Sequence, residues 1–270
     1  MSEKINETSL DTIAGALCEI MGIESPEGAA EANCEMLNYV NSIFNGEKAD
    51  RIFMYNPDAI GQWLYEKYLY LFSETEKRTD LKIPFVAPMP TVTPVCFATM
   101  YTGTQPEVHG IRKYERPVLT ADTVFDALIR AGKKPAIVAH PTCTFSHIFK
   151  ERDMAYFAYH TIEEVHAKIA ELIIEDKYDF IAIHAWNYDS CMHKYGPESI
   201  EALSEIKVNT ASYGIFDSLI QTHWKHHNVF MGYAMDHGCH EIDGGAGSHG
   251  LDMPEDLNIT HFYKAYKKCF

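Results

Sequence analysis

The sequence predicts an α/β protein of three layers, with a mostly parallel central sheet and helices on both faces. Two observations lead there. From residue 51 onward, short hydrophobic runs alternate with stretches of helical period, the pattern of βαβ units whose strands are buried on both sides. Three of those runs also end just before an aspartate. Arg51-Ile-Phe-Met-Tyr55 precedes Asp58, Phe180-Ile-Ala-Ile-His184 precedes Asp189, and Val229-Phe-Met-Gly-Tyr233 precedes Asp236. Open α/β sheets bind their ligands at the carboxyl ends of the strands, so these distant residues are expected to converge.

The elements follow in order. Ser9 and Asp11 are placed to cap a helix carrying Ile13, Leu17, Ile20 and Met21 and ending near Gly22. A second helix is expected from about Pro26 to Phe44, stopping at Gly46. Residues 1–50 thus read as a helical extension packed on the core. After the first strand, Asp122–Arg130 reads as a short helix with Val124, Phe125, Leu128 and Ile129 inward, and Lys134–Ala139 as a strand. Thr161 and Glu164 form a capping box for a helix reaching Ile174. The strand Asp179–Ala185 follows at once, then a helix over residues 197–224 and a strand over Asn228–Met235. No repeat, low-complexity tract or Pro/Ser-rich linker intervenes, so a single domain over residues 1–270 is expected.

Composition narrows the function. A net charge of -15 argues against nucleic acid and anionic membranes as partners. A small phosphorylated substrate stays compatible, because bound cations reverse the local potential. Seven cysteines, an odd number without a CxxC pair, fit a reducing compartment. The start Met1-Ser-Glu-Lys-Ile-Asn-Glu lacks the basic and apolar blocks of a signal peptide, and the expected location is the cytoplasm. The leading helices can cover the sheet or join two copies as a homo-oligomer.

The chemistry gathers in four places. Thr93-Pro94 reads as a helix start, with Gly103 as the stop. The Thr93 hydroxyl then stands at the positive end of a helix, which favours an alkoxide or a phosphate; on this segment alone a plain cap explains it as well. Asp189 and His193 are four apart and share a side of a helical turn. Asp236-His237 can both serve one ion only where the chain turns, as Gly238 allows, and His249 follows in Gly247-Ser-His-Gly250. Three carboxylates at one sheet edge repel one another unless cations lie between them.

Taken together, Thr93 to Ile111, Asp189-x-x-x-His193 with Tyr195-Gly-Pro197, Asp236-His-Gly238 and His249-Gly250 resemble the type I phosphodiesterase/nucleotide pyrophosphatase family of the alkaline phosphatase superfamily. The motifs occur in the same order, over about residues 50 to 262. The resemblance implies an alkaline-phosphatase-like core and a two-metal phosphoester hydrolase acting through a phosphothreonine at Thr93. It places Asp189, His193 and His249 on one divalent ion and Asp58, Asp236 and His237 on the other, with the Thr93 oxygen. The mixed imidazole and carboxylate ligands suit zinc, with manganese or iron as alternatives. The length leaves little room for a cap domain. The implied substrate is a small phosphorylated molecule, a nucleotide among the candidates.

One position departs from the pattern. Similar enzymes carry asparagine three residues after the nucleophile, where this chain has Cys96. A thiol is a weaker donor than an amide, and losing one such donor can cost about 3 kcal/mol. Arg112, with Lys113, is the candidate to compensate; a solvated surface is the plainer role for both. The sulfatase pattern Cys-x-Pro-x-Arg is absent. Two further readings stay open on the same core: a phosphomonoesterase or phosphonate hydrolase, and a metal-binding protein that has lost catalysis. His140 and His147 lie in the loop Ala139–Lys150, where a cap over the site is expected, and read as solvated or supporting groups rather than ligands. The aromatic residues at 145, 149, 156, 157 and 159 are candidates to frame a pocket, with core packing as the alternative.

Overall fold

The computed structural model describes residues 4–269, and these build a central sheet of eight strands. In chain order the strands are β1 (Thr8–Ser9), β2 (Arg51–Pro57), β3 (Leu81–Val86), β4 (Pro135–Ala139), β5 (Ala155–Ala158), β6 (Phe180–Ala185) and β7 (Val229–Tyr233). A small hairpin of β8 (His240–Glu241) and β9 (Gly247–Ser248) precedes the last sheet strand, β10 (Asn258–Tyr266). The sheet order is β1-β3-β10-β7-β2-β6-β4-β5. Every neighbouring pair is parallel except those of β10, which runs antiparallel to both β3 and β7.

Register explains the convergence. Asn56 of β2 lies beside His184 of β6, and Tyr55 of β2 beside Tyr233 of β7. The carboxyl ends of β7, β2 and β6 are therefore level, and Asp236, Asp58 and Asp189 leave the sheet side by side. These strands are buried almost throughout, as a sheet covered on both faces requires. On one face helix Ile162–Glu175 packs against Ile200–His223; on the other, Thr93–Thr102 packs against Thr12–Met21.

Several local expectations need correction. Asp11 precedes the first helix but makes no capping bond; its carboxylate accepts from Gln105 Nε2 at 2.6 Å instead. The second helix begins at Cys34, not Pro26, because Asn33 supplies the N-cap and accepts from Met36 N. Its stop is Asn45, in the left-handed conformation. Strands β3, β5 and β10 and the short helix Gln62–Lys67 add to the elements that the sequence predicts. β3 contains Pro84, and β10 mixes polar and aromatic residues, so neither reads as a buried run. Phe145 and Phe149 pack with Phe97, Tyr101 and Phe125 in the core, so they frame no pocket.

The capping box at Thr161 and Glu164 is present as read. So is the stop at Gly103, which has φ 73°. A Cβ there would lie 2.8 Å from the Ala29 Cβ and 3.0 Å from the Ala14 Cβ, closer than side chains pack. Glycine thus lets the N-terminal segment close over the end of the helix, where Ala30 N donates to Gly103 O at 2.7 Å.

Candidate active site

Thr93 is the first residue of helix Thr93–Thr102, and Val92 occupies the cap position. The hydroxyl is therefore not engaged in capping. Its contacts are Asp58, 3.5 Å from either carboxylate oxygen, and His237 Nε2 at 3.4 Å. The helix is pinned to the sheet by Tyr101, which donates to Asn56 Oδ1 at 2.7 Å, while Asn56 Nδ2 reaches Ala234 O. One buried amide thus ties the Thr93 helix to the exits of β2 and β7.

Around Thr93 the structure assembles two clusters. Ligand-type atoms of Asp58, Asp236 and His237 lie within 4.8 Å of one another, as do those of Asp189, His193 and His249. These are the six side chains that the sequence motifs single out besides Thr93. The first cluster is fully buried, and the second opens toward solvent at His193.

The histidines carry the strongest sign that the clusters suit metal ions. His237 Nδ1 lies 2.9 Å from Gly238 O, His193 Nδ1 3.0 Å from Gly247 O, and His249 Nδ1 2.9 Å from Thr91 O. A carbonyl only accepts, so each Nδ1 must carry the proton. In the neutral ring that fixes one tautomer and makes Nε2 the atom with a lone pair to offer in all three. The Nε2 atoms face each other and the carboxylates: His193 Nε2 is 3.1 Å from His249 Nε2 and 3.2 Å from Asp189 Oδ1. Asp236 Oδ1 accepts from Ala59 N and His237 N, while its buried Oδ2 makes no hydrogen bond. Leaving a buried carboxylate oxygen unpaired is costly, and a cation would satisfy it. The donor set fits two divalent ions.

Electrostatics agree with the geometry. Burial and the neighbouring carboxylate of Asp236 push Asp58 up to about 6; burial above all lifts Asp236 to about 7. Burial lowers His237 to about 4, holding it neutral. In the other cluster burial opposes charge, yet His193 and His249 hold Asp189 well below the usual carboxylate range. Against the same opposition, Asp189 lifts His249 to about 9.

Two supports escaped the sequence reading. His184, the inward residue near the end of β6, places Nε2 2.7 Å from Asp58 Oδ2 and so orients that carboxylate. The signal was a histidine inside an otherwise apolar strand. Asp256 braces the loop that carries His237 and His249. Its carbonyl accepts from Gly238 N, while its carboxylate bonds His240 Nδ1 at 2.7 Å and Leu251 N at 2.8 Å. Gly238 sits so close that a Cβ would approach Glu255 O to 2.0 Å. Replacing Asp256 by alanine is expected to weaken binding of one of two metal ions by about tenfold or more, read as a split in a calorimetric metal titration. Two unchanged sites would remove this role.

The remaining candidates lie elsewhere. Cys96 is fully buried one turn after Thr93, and burial, then Asp236 and Asp58, raise its thiol far above the ordinary value. It stays protonated and lies outside the lining of the open cavity above Thr93. Arg112 is exposed and donates to Glu107 O; it too is absent from that lining. Arg116 and His140 line it instead. His109 supports the turn after the helix, with Nε2 3.0 Å from Thr99 Oγ1 and Nδ1 accepting from Ile111 N. His147 is half-buried and lies outside the cavity lining.

The model of the type I phosphodiesterase/nucleotide pyrophosphatase family matches residues 77–230, more than half of the chain. The chain belongs to this family. The matched segment contains Thr93, Asp189 and His193; Asp58, Asp236, His237 and His249 lie outside it. No curated protein matches the chain.

Among solved structures, an inactive threonine-to-alanine form of murine ectonucleotide pyrophosphatase/phosphodiesterase 5 in complex with AMP is similar, with TM-score 0.55 at 17% identity. The similarity covers 72% of this chain and 59% of that one. Phosphonoacetate hydrolase from Sinorhizobium meliloti, in complex with phosphonoformate, gives 0.54 at 16% identity, covering 75% and 61%. The C-terminal periplasmic domain of the phosphoethanolamine transferase EptC from Campylobacter jejuni gives 0.57 at 14%, covering 80% of each. The chain thus spans about three fifths of the first two. At these identities the likeness establishes the alkaline-phosphatase-like fold. Among the described residues, no helix is long and apolar enough to cross a membrane.

Proposed function

We propose that this protein is a two-metal phosphoester hydrolase, with Thr93 as the nucleophile and a phosphodiester or nucleotide pyrophosphate as the substrate. The observation that carries the reading is the set of three histidines with Nδ1 tied to backbone carbonyls and Nε2 turned inward, gathered with three aspartates around one threonine hydroxyl. Asp58, Asp236 and His237 would hold one ion beside Thr93, and Asp189, His193 and His249 the other. Bound there, two divalent cations lower the pKa of an oxygen nucleophile and neutralise charge on the phosphoryl group.

The chain's own part follows from its geometry. Thr93 Oγ1 attacks phosphorus in line, its O–P bond forms as the bond to the leaving oxygen breaks, and the proton of the hydroxyl is lost to solvent. Asp58 is fixed by His184 and in turn fixes the direction of Thr93. The positive end of the ten-residue helix stands under the developing negative charge. Water then displaces Thr93 from the opposite side, returning the hydroxyl and releasing the phosphate product. Two inversions give overall retention at phosphorus. The threonine-to-alanine form of the murine enzyme, described as inactive, supports the assignment to Thr93.

The test is acid quenching of metal-reconstituted protein during turnover of an aryl phosphodiester, followed by peptide mass spectrometry. A phosphoryl adduct on Thr93 is expected. Turnover with inversion at phosphorus and no adduct would overturn the mechanism. A phosphonate hydrolase is the second reading, favoured by the small cavity above Thr93, of about 340 Å³. Faster cleavage of a phosphonate than of the diester would decide for it.

A further inference from the structure

The cavity above Thr93 is lined by more than the proposed metal ligands. Arg116, His140, Thr142 and Trp186 share its wall with Asp58, Thr93 and Asp189. Arg116, solvent-exposed like Arg112 but on the cavity wall, is the permanent cation among these residues. One arm is anchored, with Nη1 donating to Thr142 O at 2.6 Å. A guanidinium has five N–H donors in a rigid fork, so the anchored group still offers several. Lys113, Arg130 and Arg152 pair with Glu115, Asp122 and Asp126, and Arg112 is bonded to Glu107 O outside the cavity lining. Arg116 forms no such pair among the described residues.

Charge points the same way. A chain of net charge -15 repels an anion at long range, so the site must supply its own positive field. Two divalent ions would outweigh the three carboxylates Asp58, Asp189 and Asp236, and Arg116 adds a further positive charge at the cavity wall. Arg116 and Thr93 line one open cavity of about 340 Å³, so a single ligand can reach both over a short span.

Resting on the two-metal reading, we infer that the substrate carries two anionic groups on a short skeleton. The reacting phosphorus lies at Thr93, and a carboxylate or second phosphoryl group is held by Arg116. The forked donors of arginine match either group.

The test is calorimetry on the metal-loaded protein with methylphosphonate, phosphonoacetate and methylenebisphosphonate, which differ in the second group. Wild type is expected to bind one or both dianionic ligands about tenfold or more tighter than methylphosphonate. Arg116→Gln should reduce that preference to about twofold, and Arg116→Lys should keep part of it, with methylphosphonate affinity unchanged in both. A carboxylate-only or bisphosphonate-only preference would name the second group. Equal binding of all three by wild type, or a preference surviving in Arg116→Gln, would overturn the inference. If Thr93-dependent hydrolysis occurs without any such preference, the subsite falls and the hydrolase stands. If the preference occurs in a protein that turns over no phosphoester, the subsite stands and the hydrolase falls.

Discussion

Thr93→Ala is expected to lower turnover of an aryl phosphodiester by about a thousandfold or more, because it removes the attacking atom. The effect should fall on kcat. The six carboxylate and imidazole ligands remain, so a metal titration of the variant should still find two sites, one of them weakened by loss of the hydroxyl. Thr93→Ser keeps the oxygen but frees its rotation, since the β-branched side chain is stiffer; a loss of about tenfold is expected. The hydroxyl touches Asp58 and His237 and caps nothing, so neither change should cost much stability. An alanine variant as fast as wild type would place the nucleophile elsewhere, and two equally inert proteins that still bind metal would leave only a binding function.

Removing the metal ions is expected to give the second largest effect, and to depend on pH in a defined direction. In an unfolded chain aspartate titrates near 3.9 and histidine near 6.5. Burial holds Asp236 at about 7 in the metal-free fold, and against the opposing effect of burial Asp189 holds His249 at about 9. Both folded values lie above the unfolded ones. The stability these groups contribute is thus present at low pH and lost as pH rises through about 7 and about 9. Across the interval from about 6.5 to 9 the folded metal-free protein keeps protons that the unfolded chain has released. Metal ions displace those protons and bind more tightly as pH rises. Saturating metal should therefore raise Tm by on the order of 10 °C, with a larger increment at pH 9 than at pH 6.5. Asp236→Asn should raise the metal-free Tm at alkaline pH, because an amide oxygen still accepts from Ala59 N and His237 N, while reducing the increment to the part owed to the Asp189, His193 and His249 cluster. A metal-induced shift that shrinks with rising pH would refute this account.

Much of this site was legible in the sequence because parallel sheets leave a simple trace. Their strands are continuous apolar runs, and the residues just past them must meet at one edge. Asp58, Asp189 and Asp236 could be placed together on that basis, and the family motifs supplied Thr93 and the histidines. Residues 26–33 misled, since polar spacing alone did not reveal that Asn33 would outcompete Pro26 as the helix start. Arg112 misled differently: its nearness to the nucleophile segment in sequence gave no sign of which side chain would face the cavity.

By itself, then, the sequence determined the βαβ frame, the strand-end carboxylates and the nucleophile candidate, because these depend on local hydrophobic period and on position relative to strand ends. Tertiary structure alone decided which groups complete the site. His184 reaches Asp58 only through the β2–β6 register. Asp256 braces the His237–His249 loop only once β10 folds back beside β7. Arg116 rather than Arg112 faces the cavity because its guanidinium is anchored on Thr142 O, 26 residues away. Contacts of this kind follow from how the chain returns on itself, and no local pattern encodes them.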